Sequence, residues 1–267
     1  MKRTTEQNDI LIAGLTRRFE QQKPAVHYME EHFGSGPVGD FGCGNGIPLN
    51  HLAERRPDLF FVGVDHSMDI LGRNHALGRR NVTLVAGDLD GAVFPEGSFE
   101  AVMFNRSLHE VYSLFGEDGL RRAVSFACRA LKPDGRVLIY ENAVRSREKV
   151  TLRLVTDEVR GLFAKFLEDY SIRPVPCTRV DEMTVLLQED DALEFLTKYR
   201  DPDWESEMRE VHFLYTLDEW HSVLSSCGLE REAVRRFDDR QILATDGVEP
   251  GWEIEDFKHV LVYRRSE

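Results

Sequence analysis

The sequence predicts an α/β fold in which a mostly parallel sheet of seven strands carries helices on both faces. Three observations predict it. Short apolar runs alternate with helix-length segments between about residues 38 and 143, an acidic residue ends several of these runs, and three glycines at alternate positions follow the first run. Strands that alternate with helices at this interval form right-handed βαβ units, which build a parallel sheet covered on both sides.

The first predicted elements are a helical N-terminal segment and a strand that enters a glycine-rich turn. Residues 8–33 have apolar positions at helical spacing and end at the breaker sequence GSGP, so one or two helices are expected there. The apolar run 38–41 is the first strand. A helix is expected to start near Ile47, where Pro48 suits the first turn because its missing N–H would be unpaired there anyway.

The alternation continues to residue 143. Ser67 is the expected N-cap of the next helix, and Pro133 with Gly135 is expected to stop the one after it. Further strands are predicted at 59–65, 81–88, 98–105 and 136–143, with helices at 67–77 and 116–135.

The alternation is lost after residue 144. Residues 145–213 have a mostly helical pattern and are expected to form a lid over the carboxyl edge of the sheet, where additions usually set specificity. Thr216 and Glu219 form a capping-box sequence for a later helix, and 257–265 is predicted to close the sheet as its last strand. The predicted organisation is an N-terminal helical cap at 1–34, a core at 35–144, the lid at 145–213 and the end of the core at 214–267.

Composition and charge narrow the classes of function. The 267-residue chain is 42% hydrophobic and 30% charged, which is ordinary for a globular protein, and its net charge is −13. Residues 151–267 account for −12 of this charge, with 15 basic and 27 acidic side chains. Because binding along a phosphate backbone requires clustered Lys and Arg, this balance disfavours nucleic acid as a substrate.

Cysteine usage and hydropathy point to a protein of the cytoplasm. Cys43, Cys128, Cys177 and Cys227 lie far apart without a C-x-x-C pair, so reduced structural thiols are expected rather than a zinc site or a disulfide framework. The first residues contain no apolar run typical of a signal sequence, and no later segment reaches the roughly 18 to 20 apolar residues of a membrane span. We therefore expect a cytoplasmic protein without a membrane partner; its oligomeric state has no signal in the sequence.

The stretch DFGCGNG at residues 40–46 places Gly42, Gly44 and Gly46 where the first strand turns into its helix. Ligands of open α/β sheets bind at such turns, and glycine lets a ligand lie against bare backbone. Dinucleotide sites have the spacing G-x-G-x-x-G, whereas here Asp40 precedes the glycines and would repel a diphosphate. Asp65 ends the second strand about 20 residues further on, where an acid accepts both ribose hydroxyls. These features predict a nucleoside that carries a positively charged amino acid, and they oppose a nicotinamide dinucleotide.

The ordered segments VGDFGCGNG, FFVGVD, AGDLD, FEAVMFNRSLHE and LKPDGRVLIYE resemble the motif set of class I S-adenosylmethionine-dependent methyltransferases. The resemblance covers residues 30–143 strongly and the region from YTLDEW to the last strand more loosely. It implies a Rossmann-like fold, S-adenosylmethionine as the cofactor and S-adenosylhomocysteine as its product. By position it implies these cofactor contacts: Asp40, Gly42, Gly44 and Gly46 at the methionine part, Asp65 at the ribose, Asp88 and Leu89 at the adenine, and Asn105 at the methionine end.

The segment NRSLHEVY at residues 105–112 faces the methyl group in proteins of this family. Histidine side chains in general titrate near neutral pH, so His109 is the candidate general base, with Glu110 as its orienting partner or as an anchor for a cationic substrate. A histidine packed at the start of a helix is the structural alternative. Three further residues are substrate candidates: Tyr28, Arg106 and Glu141.

Missing motifs favour a small-molecule acceptor. The tetrapeptides N-P-P-Y and D-P-P-Y, which mark family members that methylate amino groups of nucleobases or glutamine, are absent, and no metal constellation of the catechol-methyltransferase kind is found. The sequence therefore predicts methyl transfer to an oxygen or nitrogen of a small molecule, without a metal. Two alternatives remain open: an RNA or protein methyltransferase, for which basic clusters lie at 79–80, 121–122 and 145–149, and a non-catalytic module that binds S-adenosylmethionine or S-adenosylhomocysteine.

Overall fold

The computed structural model describes residues 19–89, 94–238 and 246–266, so the predicted N-terminal cap before residue 19 lies outside the described residues. The strands are β1 (Val38–Phe41), β2 (Phe61–Asp65), β3 (Val82–Ala86), β4 (Phe99–Asn105), β5 (Leu131–Asn142), β6 (Lys149–Leu154), β7 (Cys177–Arg179), β8 (Thr184–Gln188), β9 (Leu229–Phe237), β10 (Val248–Pro250) and β11 (Lys258–Arg265). The helices are α1 over residues 19–30, α2 (Ile47–Arg55), α3 (Met68–Leu71), α4 (Leu108–Ala130), α5 (Asp157–Asp169), α6 (Glu189–Lys198), α7 (Trp204–Glu207) and α8 (Leu217–Ser226).

Seven strands form the main sheet in the order β3-β2-β1-β4-β5-β11-β9. The strands β1 to β5 are parallel, and β11 runs antiparallel between β5 and β9. Parallel strands place their carboxyl ends at one edge of a sheet, so the ends of β1, β2 and β4 lie together. The predicted α/β fold with a mostly parallel seven-stranded sheet is confirmed.

Local sequence explains how the elements near this edge form. All four residues of β1 are buried, as expected for a parallel strand whose two faces are both covered. The helix α2 begins after Gly46, whose φ is 69°, and Pro48 lies in its first turn as predicted. The helix α8 has the predicted capping box: the Glu219 amide donates to the Thr216 hydroxyl at 3.2 Å, and the Thr216 amide donates to the Glu219 carboxylate at 2.7 Å.

Apolar clusters cover both faces of the main sheet. One cluster packs α4 and α8 on the sheet, and the other packs α1 and α2 on the opposite face. Representative members of the clusters are Phe104, Phe126 and Trp220 in the first, and Phe33, Leu49 and Phe61 in the second.

None of the helices in the described ranges combines the length and the apolar character needed to cross a membrane.

The helix α4 begins earlier than the sequence predicts. It starts at Leu108 directly after β4, bends at Gly116 (φ 66°, ψ −168°) and ends at Ala130, before Pro133. The predicted span 116–135 leaves out residues 108–115, which form its first two turns, because Gly116 interrupts the helical pattern at that point. The early start has a consequence for the site, since it holds His109 at the edge of the sheet.

The insertion at residues 145–213 is only partly helical, so the prediction of a mostly helical lid is wrong for β6 and β8. These strands pair antiparallel in a second sheet of the order β10-β6-β8-β7. The β6 sequence KVTLRL alternates exposed and buried side chains, which is the period of a strand. Phe163 and Phe166 of α5 and Phe195 of α6 form the core of this unit. Its edge strand β10 comes from the region after α8.

Candidate active site

A cavity of about 520 Å³ opens at the carboxyl edge of the main sheet. The ends of β1, β2 and β4 and the starts of α2 and α4 line one side, and the start of α1 reaches it through Phe19. The opposite side is formed by residues from the insertion: Thr197, Asp201, Glu207, Glu210 and His212. The volume is in the range of small-molecule sites.

Most of the predicted site residues line this cavity. Those that do are Asp40, Gly42, Gly44, Asp65, Asp88, Leu89, Asn105, Arg106, His109 and Glu110, whereas Tyr28, Gly46 and Glu141 do not. Asp88 and Leu89 follow β3 beside the end of β2, where the Gly87 amide donates to the Asp65 carbonyl at 3.1 Å. The neighbouring strand ends thus bring together residues that are far apart in sequence.

The three glycines of the turn have different surroundings. A Cβ at Gly42 would collide with the Ser107 side chain, and a Cβ at Gly46 would collide with Asn74. A Cβ at Gly44, by contrast, would meet no atom within 4 Å. Packing within the chain therefore requires glycine at two positions, and Gly44 is the member of the turn whose backbone is left open to a ligand. The prediction that Gly46 lies at the cofactor is corrected, because Gly46 caps α2 against Asn74.

Two carboxylates lie behind this turn. Asp40 is 1% exposed, and its Oδ1 has no hydrogen-bond partner among the described residues. Burial, and after it the negative charge of Asp65, raise the pKa of Asp40 to about 7. Asp65 accepts from the amides of Gly44 at 3.0 Å and Ser67 at 2.9 Å, which fix its carboxylate at the end of β2. A buried carboxylate oxygen without a partner at a cavity suits a cationic ligand group.

The chain turns sharply at the end of β4. Asn105 lines the cavity, and its buried Oδ1 also lacks a partner among the described residues. Arg106 follows with a φ of 58°, a left-handed conformation that residues other than glycine seldom adopt. Its amide donates to the Tyr140 carbonyl of β5 at 3.0 Å. This conformation ends the strand and starts α4 almost at once, as is common at functional sites.

His109 is held by Glu141, not by Glu110. Nδ1 of His109 lies 2.8 Å from Oε2 and 3.0 Å from Oε1 of Glu141, which also accepts from the Leu108 and His109 amides. Burial lowers the pKa of His109, but the charge of Glu141 and its hydrogen bond outweigh burial, so the pKa of His109 is raised. The positive ring in turn keeps the pKa of Glu141 low despite burial. Nε2 is the ring nitrogen of His109 left for the cavity.

Three sequence predictions change as a result. Glu141 is 3% exposed behind His109, because β4 and β5 are neighbours, so it is a partner of His109 instead of a substrate residue. Glu110 lines the cavity, but adjacent helical residues point about 100° apart, so it does not orient His109. The surrounding protein raises the pKa of Glu110 by desolvation. Tyr28 packs against Phe237 and under the Arg235 guanidinium, away from the cavity.

The insertion supplies functional candidates that the sequence analysis missed. His212 packs edge-to-face against His109 at the cavity wall, with ring centroids 5.7 Å apart and ring planes nearly perpendicular. Burial, and next the charge of Lys198, hold the pKa of His212 well below its usual range, so the ring is neutral. His109, Glu210 and His212 each offer one ligand atom, and these atoms lie within 4.8 Å of one another. In the sequence, Glu210 and His212 are marked by their separation of two positions, and a pattern of two residues is too common to identify a site.

Residues 38–135 match a family model described as a methyltransferase domain, and no curated protein matches the sequence. Among solved structures, the fold is similar to S-adenosylmethionine-dependent methyltransferases from Methanosarcina mazei (13% identity, 90% of this chain and 97% of that chain, TM-score 0.58) and Mesorhizobium loti (20% identity, 92% and 98%, TM-score 0.56). It is also similar to a chain in the complex of the Haloferax volcanii Trm112 methyltransferase activator with a methyltransferase (12% identity, 96% and 93%, TM-score 0.57).

The domain match and the sheet together define the class of protein as a Rossmann-like methyltransferase. Residues 38–135 are a methyltransferase domain, the main sheet has the fold of class I S-adenosylmethionine-dependent methyltransferases, and the cofactor that this domain implies is S-adenosylmethionine. The described residues fit this cofactor, because Asp40 offers a buried unpaired oxygen to an ammonium group and Gly44 offers open backbone. The family, enzyme class and cofactor implied by the sequence resemblance are confirmed.

Proposed function

We propose that the protein methylates an oxygen or nitrogen atom of a small-molecule acceptor bound in the part of the cavity that His109 and the insertion line. The observation that carries this proposal is a single cavity that joins Asp40 and Asp65 to the His109–Glu141 pair. Because residues of the insertion line the far side, the acceptor has to fit within the space that the cofactor leaves free.

The residues on the sheet side are assigned to the cofactor. S-adenosylmethionine supplies the methyl group as a sulfonium. Asp40 would accept from the ammonium group, since its Oδ1 is buried without a partner, and Asp65 would accept from the ribose hydroxyls, since its carboxylate is fixed at the strand end. Asp88 with Leu89 is assigned to the adenine, and Asn105 to the methionine end.

His109 is assigned to the acceptor. Its Nε2 would accept the proton that the acceptor loses, while Glu141 holds the ring by Nδ1 and stabilises the positive imidazolium that results. Correct alignment of donor and acceptor supplies the rest of the rate enhancement. Glu110 and Arg106 line the same part of the cavity and would bind charged groups of the acceptor.

Charge around the cavity favours a small molecule over nucleic acid. Glu110, Asp201, Glu207 and Glu210 line the acceptor side, and their carboxylates would repel a phosphate backbone. Four arginines of the basic clusters are also paired with carboxylates, which lowers the positive potential they offer. The pairs are Arg79 with Glu54, Arg121 with Glu117, Arg145 with Glu189 and Glu255, and Arg147 with Asp190 and Glu219.

A methyltransferase that acts on RNA or protein with an activator subunit is the second candidate. The fold similarity to a chain from a complex with the Trm112 methyltransferase activator favours it. A salt-sensitive mobility shift of labelled tRNA would support this candidate, and no binding at low salt would oppose it.

The proposal is tested by following the methyl group. Purified protein is first titrated calorimetrically with S-adenosylhomocysteine, and then incubated with methyl-labelled cofactor and parallel sets of small hydroxyl and amine compounds, tRNA and peptides. Transfer to a small molecule alone is the expected result. Transfer to tRNA or peptide alone would replace the proposal with the second candidate, and binding without transfer in any set would indicate a non-catalytic module.

A further inference from the structure

Three side chains on the acceptor side of the cavity have the composition of a metal site. His109, Glu210 and His212, which we call the triad, place one ligand atom each within 4.8 Å of one another. Two imidazoles and a carboxylate suit Zn²⁺, Fe²⁺, Mn²⁺ or Co²⁺, whereas Mg²⁺ and Ca²⁺ prefer oxygen ligands alone. We propose that the triad binds one divalent transition-metal ion and that this ion holds an oxygen-bearing group of the acceptor.

The spacing of the triad is close to that of a bound site. Ligand atoms around an ion with bonds of about 2.0–2.2 Å are roughly 3–4 Å apart. Since the ligand atoms of the triad lie within 4.8 Å of one another, they have to approach by no more than about 2 Å on binding. His109 is fixed by its buried contact with Glu141, and the His212 ring is held by Thr197, so the adjustment is expected mainly from Glu210, which is partly exposed.

Both histidines are prepared as ligands by the groups behind them. Metal-binding histidines usually donate their second ring N–H to an oxygen, which fixes the tautomer and the ring orientation. Glu141 has this position at Nδ1 of His109, at 2.8 Å. The Thr197 hydroxyl lies in the same position beside Nδ1 of His212, at 3.2 Å. Because this hydroxyl donates its proton to the Leu193 and Glu194 carbonyls, its oxygen accepts from the His212 ring. Nε2 of each ring is then left for the ion.

The triad joins two parts of the fold. His109 is in the first turn of α4, while Glu210 and His212 stand two residues apart between α7 and α8. Glu207 is the group that now lies beside Nε2 of His212, at 3.3 Å, and it also pairs with Lys198. An ion would displace Glu207 from the ring or take it as a fourth ligand.

The ion would change how the acceptor loses its proton. An acceptor hydroxyl that binds a divalent ion ionises more easily, so its O–H bond breaks, a metal–oxygen bond forms and the proton passes to solvent. His109 is then a ligand and no longer the base. This second half of the inference rests on the proposed function, whereas metal binding by the triad does not.

Cobalt titration of the full-length protein tests the triad directly. Purified protein is dialysed against a chelator and then against chelator-free buffer, and Co²⁺ is added while the visible absorption is recorded, with Zn²⁺ measured by competition. The variants are Glu210→Gln, His212→Asn and Thr197→Val. His51→Gln is the matched control, since Nε2 of His27 and Nε2 of His51 lie 2.9 Å apart and form another nitrogen pair that an ion would find. Calorimetry with S-adenosylhomocysteine shows whether each variant is folded.

We expect one Co²⁺ per wild-type chain, affinity reduced at least 100-fold in Glu210→Gln and His212→Asn and about tenfold in Thr197→Val, and no change in His51→Gln. Wild-type binding weaker than about 0.1 mM, or binding that survives in both ligand variants, or binding lost in His51→Gln, would overturn the inference. Metal binding by a protein that transfers no methyl group would reject the proposed function alone, and metal-free methyl transfer by a protein that binds no ion would reject this inference alone.

Discussion

The two sides of the cavity are built on different principles. On the sheet side, Asp40, Asp65 and Asn105 stand at the carboxyl ends of strands, where the topology of any open α/β sheet brings residues together. On the insertion side, Glu210 and His212 lie on an irregular segment whose position depends on how the second sheet packs. The first side is therefore defined by the fold class and indicates the cofactor, whereas the second lies outside that common framework and is the side that we propose selects the acceptor.

Removal of His109, where the two sides meet, is expected to have the largest effect. His109→Ala should lower kcat about 10²- to 10⁴-fold, because a positioned base contributes this much. The affinity for S-adenosylhomocysteine should stay within a factor of two. Labelled methyl transfer and calorimetry measure the two quantities. An equal loss of affinity for S-adenosylhomocysteine would show that His109 contributes to cofactor binding, and would contradict its assignment to the acceptor.

A substitution at Asp65 tests the sheet side of the cavity alone. Asp65→Ala should weaken S-adenosylhomocysteine binding by at least about 100-fold, since charged hydrogen bonds contribute roughly 1.5–3 kcal/mol each and two hydroxyls are expected to donate. Calorimetry measures this change. Asp69→Ala is the matched control, because Asp69 is exposed on α3 and pairs with Arg73. Unchanged binding in Asp65→Ala, or an equal loss in Asp69→Ala, would contradict the assignment of the ribose.

The pH dependence of the rate reports on the acceptor side. His109 must be neutral to act as a base, and Glu141 raises its pKa above the usual value of 6.5. In chelator-treated protein, kcat should therefore rise about tenfold per pH unit at low pH and level off above that raised pKa. Glu141→Gln should move the rise to lower pH. A rate that falls between pH 6 and 8 would exclude His109 as the base.

The pH dependence of binding reports on the sheet side, with a smaller effect. Asp40 has a pKa of about 7, and its ionised form is the one that attracts an ammonium group. About one tenth of Asp40 is ionised at pH 6 and about nine tenths at pH 8, so S-adenosylhomocysteine should bind roughly ninefold more weakly at pH 6. Calorimetric titration at both pH values tests this. In Asp40→Asn the affinity should be lower and independent of pH; a wild-type affinity that is already flat would contradict the assignment of Asp40.

The same division explains what the sequence predicts. The apolar run 38–41 and the aspartate at 65 identify strand and site together, because strand ends and ligand positions coincide in this fold. The sequence could also have predicted the pairing of His109 with Glu141, since the two residues lie at or just after the carboxyl ends of the adjacent parallel strands β4 and β5. The strand β6 was misread as helix because it runs directly into the helical pattern of α5, and its partners β8 and β10 are distant in sequence. The spacing of His212 from Glu210 is too weak a signal to predict a site, since the partners of His212 are set by tertiary packing.

The second sheet is not built from one continuous segment of the chain, because its strand β10 lies outside the insertion. Residues 145–213 carry three strands of the second sheet, but the fourth is provided by β10 from beyond α8 and β9, where it pairs with β6. A graft of 145–213 into another methyltransferase would leave β6 as an unpaired edge, which is prone to aggregate. Exchange of acceptor specificity between relatives, in the laboratory or in evolution, would therefore require the transfer of two separate chain segments as one cassette.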